Sequence, residues 1–228
     1  MSYPSIISQP GSAKRNLEPI IQQLAPLVNG PPGSSRILEL ASYPYEHIAA
    51  FAQQWPEVEW WGSCRDEGEA EVVRERYTTD LPVNLNLPEV LDVSNDSHWA
   101  SLDAKRLGGA TAAFDGVIML NLVHCCPEDV PENIFKHLSP LSPAGPRLLD
   151  PNHGWIAAYG AYKNDDGTYK SPGDEEFDQT YIRAKDPSLG LRTIASVSAF
   201  AGKWGFVEES RTEMPKGNMF VVWRVGRG

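Results

Sequence analysis

The sequence predicts a doubly wound α/β fold, in which helices cover a mostly parallel sheet that ends in an antiparallel hairpin. Arg36–Ser63 reads as strand, loop, helix and strand, because two short apolar runs flank a segment with helical apolar spacing. Phe114–Cys126 begins as a continuous apolar run, which is typical of a central parallel strand buried on both faces. Phe206–Thr212 and Asn218–Val225 then read as two closing strands with a short connection. Together these features indicate a Rossmann-like domain.

The composition limits the classes of function. The 228 residues favour one domain, and 20 basic against 30 acidic side chains give a net charge of -10. Such a chain lacks the basic face that nucleic-acid phosphates require. No apolar run approaches the roughly 18 residues of a membrane span, and no signal peptide is visible, so we expect a cytoplasmic protein without nucleic-acid or membrane partners. The three cysteines, two of them adjacent, fit neither a disulfide framework nor a zinc site, so we expect no metal.

The N-terminal part divides into an arm and the start of the domain. Residues 1–12 are rich in Ser, Pro and Gly and form an arm that is either mobile or laid across the surface, whereas residues 13–228 form the domain. Ala13–Val28 places its apolar residues on one helical face, with Pro19 in the first turn. Asn29–Ser35 ends this helix and leads into the first strand.

The elements after the first strand–helix–strand unit alternate up to residue 149. The sequence predicts a charged helix over Asp66–Tyr77, a third strand closing on Leu91–Val93, helices over His98–Leu107 and Pro131–Leu138, and a fifth strand starting at Arg147–Leu149. Residues 150–191 depart from this alternation, since they are long, loop-rich and full of Tyr, Asp, Lys and Gly. We interpret this segment as a lid or substrate loop. A last helix, Thr193–Trp204, precedes the hairpin.

Several separate segments resemble one family. They are AKRNLEPI at 13–20, ILELAS at 37–42 with the helix after it, Leu91-Asp92-Val93, FDGVIMLNLVH at 114–124 and the loop at 159–178. Each is similar to a motif of the family that includes methyltransferase-like protein 26. The resemblance covers nearly the whole chain from about residue 12, and it implies a single domain with the fold of class I S-adenosylmethionine-dependent methyltransferases.

Two positions depart from the family pattern where the family binds its cofactor. Tyr43-Pro44-Tyr45 stands where the family has Gly-Thr-Gly, whose glycines let the backbone approach the methionine carboxylate. Cys64 stands where the family has an acidic residue that binds the ribose hydroxyls, and Asp66 is two residues further on. We therefore expect no cofactor. For a retained S-adenosylmethionine site, the resemblance implies Glu39, Ser42, Cys64 and Asp92 as binding residues.

Four residues are candidates for catalysis. His124 follows the fourth strand near the carboxyl edge of the sheet, where open α/β sheets bind ligands, and it acts either as a general acid and base or as a loop-bonding residue. Arg15, in the N-terminal family signature, either binds an anionic or enolic oxygen or makes a surface salt bridge. Tyr159 and Lys163, in the predicted lid, either donate hydrogen bonds to a developing oxyanion or pack.

Six further residues are candidates for substrate binding: Asn16, Tyr43, Tyr45, Asn121, Trp155 and Tyr162. Tyr43 and Tyr45 either line an enlarged substrate cavity or fill the vacated cofactor pocket. Asn121 either orients a carbonyl group or caps a strand, and Trp155 either faces the predicted cleft or packs. The adjacent Cys125 and Cys126 have apolar neighbours, which predicts inert thiols.

Three functions remain open from the sequence. The first is a cofactor-independent enzyme that catalyses a cyclisation, pericyclic step or isomerisation of an apolar, oxygenated small molecule. The second is an S-adenosylmethionine-dependent small-molecule methyltransferase with an unusual cofactor loop, and the third is a non-catalytic pseudo-methyltransferase that binds a ligand or partner. The two departures in the cofactor motifs favour the first, and a homodimer is compatible with each.

Overall fold

In the computed structural model the described residues are 3–4, 6, 11–30, 32–107, 113–142 and 148–226. The helices are α1 (Ser12–Asn29), α2 (Glu46–Gln54), α3 (Glu67–Arg76), α4 (Asp96–Leu107), α5 (Val130–Leu138), α6 (Pro172–Glu176) and α7 (Ile194–Lys203). The strands are β1 (Arg36–Leu40), β2 (Glu59–Cys64), β3 (Glu89–Val90), β4 (Gly116–Leu120), β5 (Trp155–Ala161), β6 (Phe206–Glu213) and β7 (Asn218–Val225). A π-helix spans Phe177–Ile182 and a 3₁₀ turn spans Pro215–Gly217.

The strands form one seven-stranded sheet in the order β3-β2-β1-β4-β5-β7-β6. The first five strands in the chain run parallel, and β7 pairs antiparallel with both β5 and β6. This arrangement confirms the predicted doubly wound fold with its antiparallel C-terminal hairpin. The chain leaves β1 toward β2 on one side and later returns to β4 on the other, so the loops after β1 and β4 diverge and leave a crevice.

Helices cover both faces of this sheet, and alternation along the strands separates two apolar cores. Leu38 of β1 and Val117 of β4 face the core beneath α4, α5 and α7, whereas Ile37 and Ile118 face the core beneath α1, α2 and α3. All five residues of β4 are buried, because the strand is covered on both faces. This burial explains its continuous apolar sequence. Within the described residues, no helix is both long enough and apolar enough to cross a bilayer.

Two predicted strands differ from those observed. The third strand is only Glu89–Val90, and it ends one residue before the predicted Leu91–Val93 segment. The fifth strand starts at Trp155, inside the segment that the sequence assigns to a lid, whereas Leu149 forms only an isolated bridge with Phe114 and Arg147 lies outside the described residues. The strand Trp155–Ala161 contains two alanines and a glycine, so its apolar run is weak although it is buried throughout.

The indole of Trp155 occupies space that Gly116 leaves free on the neighbouring strand. A Cβ atom at position 116 would lie 2.1 Å from the Trp155 ring. We expect Gly116→Ala to lower the free energy of unfolding by about 1–3 kcal/mol, because a buried indole must move. Gly202→Ala in α7 is the control, since its new methyl group meets no atom within 4 Å and alanine favours helix. Equal denaturation midpoints for the two variants in urea would contradict this packing.

Candidate functional site

A cavity of about 270 Å³ lies at the carboxyl edge of the sheet. Its walls are Tyr3, Pro4 and Ile6 of the N-terminal segment, the β1–α2 loop, the start of α3 and the ends of β3 and β4. It therefore occupies the crevice that the strand order creates between β1 and β4, where open α/β sheets bind their ligands. The N-terminal arm lies across this edge at Tyr3, Pro4 and Ile6, and most of its other residues lie outside the described ones.

The β1–α2 loop adopts a conformation that glycine ordinarily supplies. Ala41 has a φ of 53° and Tyr45 a φ of 73°, both in the left-handed region that favours glycine. The peptide bond between Tyr43 and Pro44 is cis. The loop thus contains two left-handed residues, neither of which is glycine.

Internal hydrogen bonds hold this loop. The Ala41 N–H donates to the hydroxyl of Ser63 at 3.0 Å, and the Ser42 N–H donates to the Ser63 carbonyl at 2.7 Å. The Tyr45 N–H donates to the Ser42 carbonyl at 2.6 Å, and Pro44 has no N–H. These four positions therefore have no free backbone donor for a ligand.

The side chain of Tyr45 points away from the cavity into the core. It is fully buried, and its hydroxyl donates to the Asn86 carbonyl at 3.3 Å. Gly62 of β2 makes room for it, because a Cβ atom there would lie 2.3 Å from the Tyr45 hydroxyl. This placement corrects the prediction that Tyr45 lines or fills the pocket. Tyr43, by contrast, is half-buried and does line the cavity.

Glu39 carries the most unusual electrostatics of the cavity wall. It sits near the end of β1 at 2 % exposure, and its Oε2 atom has no hydrogen-bond partner among the described residues. Burial raises the pKa of its carboxyl group to about 8, and the nearby Ser42 hydroxyl opposes this only in part. An unpaired buried carboxylate is costly, so this wall is suited to a ligand that brings a positive charge.

His47 contributes a second unpaired atom to the same cavity. It lies in the first turn of α2, and its buried Nε2 atom has no partner among the described residues. Burial lowers the pKa of the imidazole to about 4, so the ring is neutral near pH 7. The sequence places His47 at the start of a helix but does not single it out as a binding residue.

Arg65 and Glu69 form the wall at the end of β2. The Arg65 N–H donates to the Glu69 carboxylate at 3.0 Å. The Arg65 guanidinium donates to the Tyr3 carbonyl and stacks on the Tyr3 ring, with its carbon 4.3 Å from the ring centroid. These contacts hold the N-terminal segment over the cavity and leave an acidic side chain facing it.

The predicted cofactor residues divide between the wall and its surroundings. Glu39 and Ser42 line the cavity. Cys64 is buried in the core, where burial raises the pKa of its thiol to about 12, and the Asp92 carboxylate accepts from both the N–H and the hydroxyl of Ser94. Asp66 caps α3 by accepting from the Glu69 N–H, so it does not replace the missing acid at the end of β2.

Asn121 lines the cavity at the end of β4, and His124 lies behind it. Asn121 has a φ of 56°, and its N–H donates to the Tyr159 carbonyl at 2.7 Å. His124 is buried, and its Nδ1 has no partner among the residues that the structure describes. Burial and the charge of Arg192 lower the pKa of its ring to about 4. The ring of Phe177, in the π-helix, lies edge-on to the His124 ring, with the two centroids 5.7 Å apart. In this structure His124 is therefore a neutral residue behind the cavity wall.

The other predicted catalytic residues lie away from the cavity. Tyr159 belongs to β5 and is buried in the core. Tyr162, a candidate for substrate binding, is also buried, and its hydroxyl has no hydrogen-bond partner among the described residues. Lys163 lies over the Tyr169 ring at 4.4 Å, and 3.8 Å from the buried carboxylate of Asp178. These positions correct the assignment of Tyr159 to a lid and indicate a structural ion pair for Lys163.

Three further candidates also lie off the cavity wall. Trp155 begins β5 at the opposite edge of the sheet, where its indole N–H donates to the Ser34 hydroxyl at 3.2 Å. The predicted cleft-facing position is therefore wrong. Arg15 is exposed on α1 and Asn16 is half-buried, whereas Gly11 and Ala13 before them line the cavity.

The chemistry available at the cavity is binding and acid–base chemistry. Among the described residues, no group of three or more His, Cys, Asp or Glu side chains is arranged to hold a metal ion. Cys125 lines the cavity, but burial raises the pKa of its thiol, and that of Cys126 to about 12, so both stay protonated near neutral pH. The cavity thus offers an acidic wall, a neutral imidazole and apolar strand ends.

Several solved structures to which the chain is similar are methyltransferases. The chain is similar to an O-methyltransferase family protein from Burkholderia thailandensis, with a TM-score of 0.69, 10% identity and coverage of 95% of this chain and 57% of that one. It is similar to human N-acetylserotonin methyltransferase in complex with SAM, with a TM-score of 0.68, 9% identity and coverage of 93% and 52%. It is also similar to the mitomycin 7-O-methyltransferase MmcR, with a TM-score of 0.64, 12% identity and coverage of 85% of this chain and 49% of that one.

These likenesses place the chain in the methyltransferase-type Rossmann fold. The chain spans about half the length of the solved structures it matches. A family model described as "Protein of unknown function (DUF938)" matches residues 8–225. This match covers nearly the whole chain, and the chain therefore belongs to the DUF938 family.

Proposed function

We propose that the chain is an S-adenosylmethionine-dependent methyltransferase that acts on a small molecule. The observation that carries this proposal is the buried carboxyl group of Glu39, whose Oε2 atom has no partner in the described part of the chain and which lies in a cavity at the crevice between β1 and β4. A cationic ligand satisfies that carboxylate, and S-adenosylmethionine is cationic. The resemblance to methyltransferase-like protein 26 and the methyltransferases of the same fold support the same function.

The residues of the cavity fit the parts of such a ligand. Glu39 suits a positively charged group, and Glu69 supplies from α3 the acidic side chain that the end of β2 lacks. Leu91 and Val93 after β3, with Leu120 of β4, form apolar walls suited to a flat ring. When bound, the cofactor supplies an electrophilic methyl group.

The position of Tyr45 removes one reason for expecting a cofactor-free enzyme. That expectation depends on bulky rings that occupy the glycine positions of the loop. The Tyr45 ring lies in the core, and the backbone at Ala41 and Tyr45 is left-handed, which is a conformation that favours glycine. A cyclase or isomerase remains the second candidate, because part of the cavity wall is apolar and the neutral imidazole of His47 lies on the same wall.

A methyl-transfer assay tests the proposal. The protein is incubated with S-adenosylmethionine and separate panels of phenols, carboxylic acids and amines, and formation of S-adenosylhomocysteine is measured. We expect turnover with one chemical class, and at least about tenfold less with Glu39→Gln, because the charged contact is lost. Absence of turnover in every panel, together with conversion of an apolar substrate without S-adenosylmethionine, would support the cyclase and contradict the methyltransferase.

A further inference from the structure

A ligand with an α-amino-acid group needs a site for its carboxylate as well as for its ammonium group. In a glycine-rich loop, backbone N–H groups approach the ligand and supply such a site. Here Ala41, Ser42 and Tyr45 use their N–H groups within the protein, and Pro44 has none. With these four positions excluded, the helix that follows the loop is a further source of donors on the cavity wall.

The N-terminus of α2 lies at this cavity, and its first backbone N–H groups are potential donors. Glu46 and His47, in the first turn of this nine-residue helix, both line the cavity. The first N–H groups of a helix have no intrahelical acceptor, and the N-cap residue Tyr45 makes no side-chain hydrogen bond to them. Helix N-termini attract anions through these groups and through the helix dipole.

Two side-chain atoms on the same wall have no hydrogen-bond partner within the described ranges, and together they suit an occupant with both charges. Glu39, at 2 % exposure, presents an unpaired carboxylate oxygen, which suits an ammonium group. His47 presents an unpaired, buried Nε2 atom in the first turn of α2. A neutral imidazole donates through one of its nitrogens, so Nε2–H is a suitable donor for a carboxylate.

We propose that His47 and the N-terminus of α2 bind the carboxylate of an α-amino-acid group whose ammonium group binds Glu39. This inference rests on the proposed function, because S-adenosylmethionine and its product S-adenosylhomocysteine both carry such a group. His47 is then a specificity-determining residue that replaces the donors of a glycine-rich loop. Desolvation lowers the pKa of the half-buried His47 imidazole to about 4, so the ring is neutral near pH 7 and has one N–H to donate.

The experiment compares two nucleosides that differ only in the amino-acid group. S-adenosylhomocysteine carries it, and 5′-methylthioadenosine lacks it. Dissociation constants are measured by calorimetry for the wild-type protein, His47→Phe, His47→Gln and the control His153→Gln, which changes an exposed histidine. Circular dichroism melting curves establish that each variant is folded.

We expect His47→Phe to weaken S-adenosylhomocysteine binding by about 10- to 100-fold, which is typical of a lost hydrogen bond to a charged group. Binding of 5′-methylthioadenosine should stay unchanged. His47→Gln should retain part of the affinity because its amide can donate in place of Nε2–H, and His153→Gln should behave as the wild type.

Equal losses for the two nucleosides, or no loss for either, would overturn this assignment while leaving the proposed function intact. Failure of the folded wild-type protein to bind either nucleoside would overturn the proposed function, and this inference with it. The two failures are therefore distinguishable in the same set of titrations.

Discussion

Tyr45→Ala is expected to lower the free energy of unfolding by about 3–5 kcal/mol, the range for truncation of a large buried aromatic side chain. The Tyr45 ring is completely buried between Gly62 and Tyr77, whose ring centroid lies 6.2 Å away. Alanine leaves a cavity there and does not relieve the left-handed φ of 73°. Denaturation in urea, followed by circular dichroism, measures the change.

Tyr43→Ala is the matched control for this prediction. Tyr43 lies two residues away in the same loop but lines the cavity instead of the core. We expect it to change the free energy of unfolding by less than about 1 kcal/mol and to alter ligand affinity. The reverse order of the two stability changes would mean that Tyr43, not Tyr45, packs in the core, and would contradict the loop conformation described above.

Glu39→Gln is expected to weaken binding of S-adenosylmethionine by about 10- to 100-fold, because a charge-assisted contact in a buried site becomes a neutral one. Gln has nearly the shape of Glu, so the cavity wall is preserved. Isothermal titration calorimetry measures the affinity. Glu75→Gln on the exposed face of α3 removes the same charge far from a buried position, and it should bind as the wild type does. Equal affinities for Glu39→Gln and the wild type would contradict the role of Glu39.

The same carboxyl group predicts a pH dependence of binding. Burial raises the pKa of Glu39 to about 8, so in the empty cavity it holds a proton near neutral pH, which a cationic ligand must displace. Affinity should therefore rise roughly tenfold per pH unit below about pH 8. Above this the rise ends, since Glu39 is ionised and the ligand's α-amino group, with a pKa of about 8, begins to lose its charge. A wild-type profile as flat as that of Glu39→Gln would contradict this linkage.

The stability of the empty protein should follow the opposite trend. The folded-state pKa of Glu39 lies above its value in the unfolded chain, so the folded state binds the proton more tightly. Its contribution to stability is fully present below about pH 4.5 and is lost as the pH rises through about 8. Glu39→Gln removes this contribution, so the difference in the free energy of unfolding between wild type and variant should change with pH across that window.

Much of the fold could be predicted, because apolar patterning indicates which faces are buried and turn residues indicate where elements end. Apolar runs predicted the strand–helix–strand unit from residue 36 and the buried β4, because strands of a covered parallel sheet are apolar on both faces. Two strand-like segments with a short connection predicted the final hairpin. The fifth strand escaped prediction because Trp155–Ala161 has small residues, and its strand character comes from pairing with β4 and β7. A local sequence pattern does not show which distant strands will pair.

The site was harder to predict because sequence position does not tell where a side chain points. Tyr43 and Tyr45 look equivalent in the sequence, but the left-handed backbone at Tyr45 and the missing side chain at Gly62 turn one ring into the core. The sequence predicted Trp155 near the cleft, but it is the first residue of β5 and lies at the opposite edge of the sheet. His47 and Glu69 could have been found from the topology, since both lie in the first turns of helices that follow strand ends at the crevice.

Calorimetric titration of the folded wild-type protein with S-adenosylmethionine and S-adenosylhomocysteine tests the central claim most directly. We predict binding of both at micromolar strength, about −8 kcal/mol, near pH 7.5 where Glu39 begins to ionise. No detectable heat at ligand concentrations up to the millimolar range, at two temperatures, would contradict the assignment of this cavity as a cofactor site.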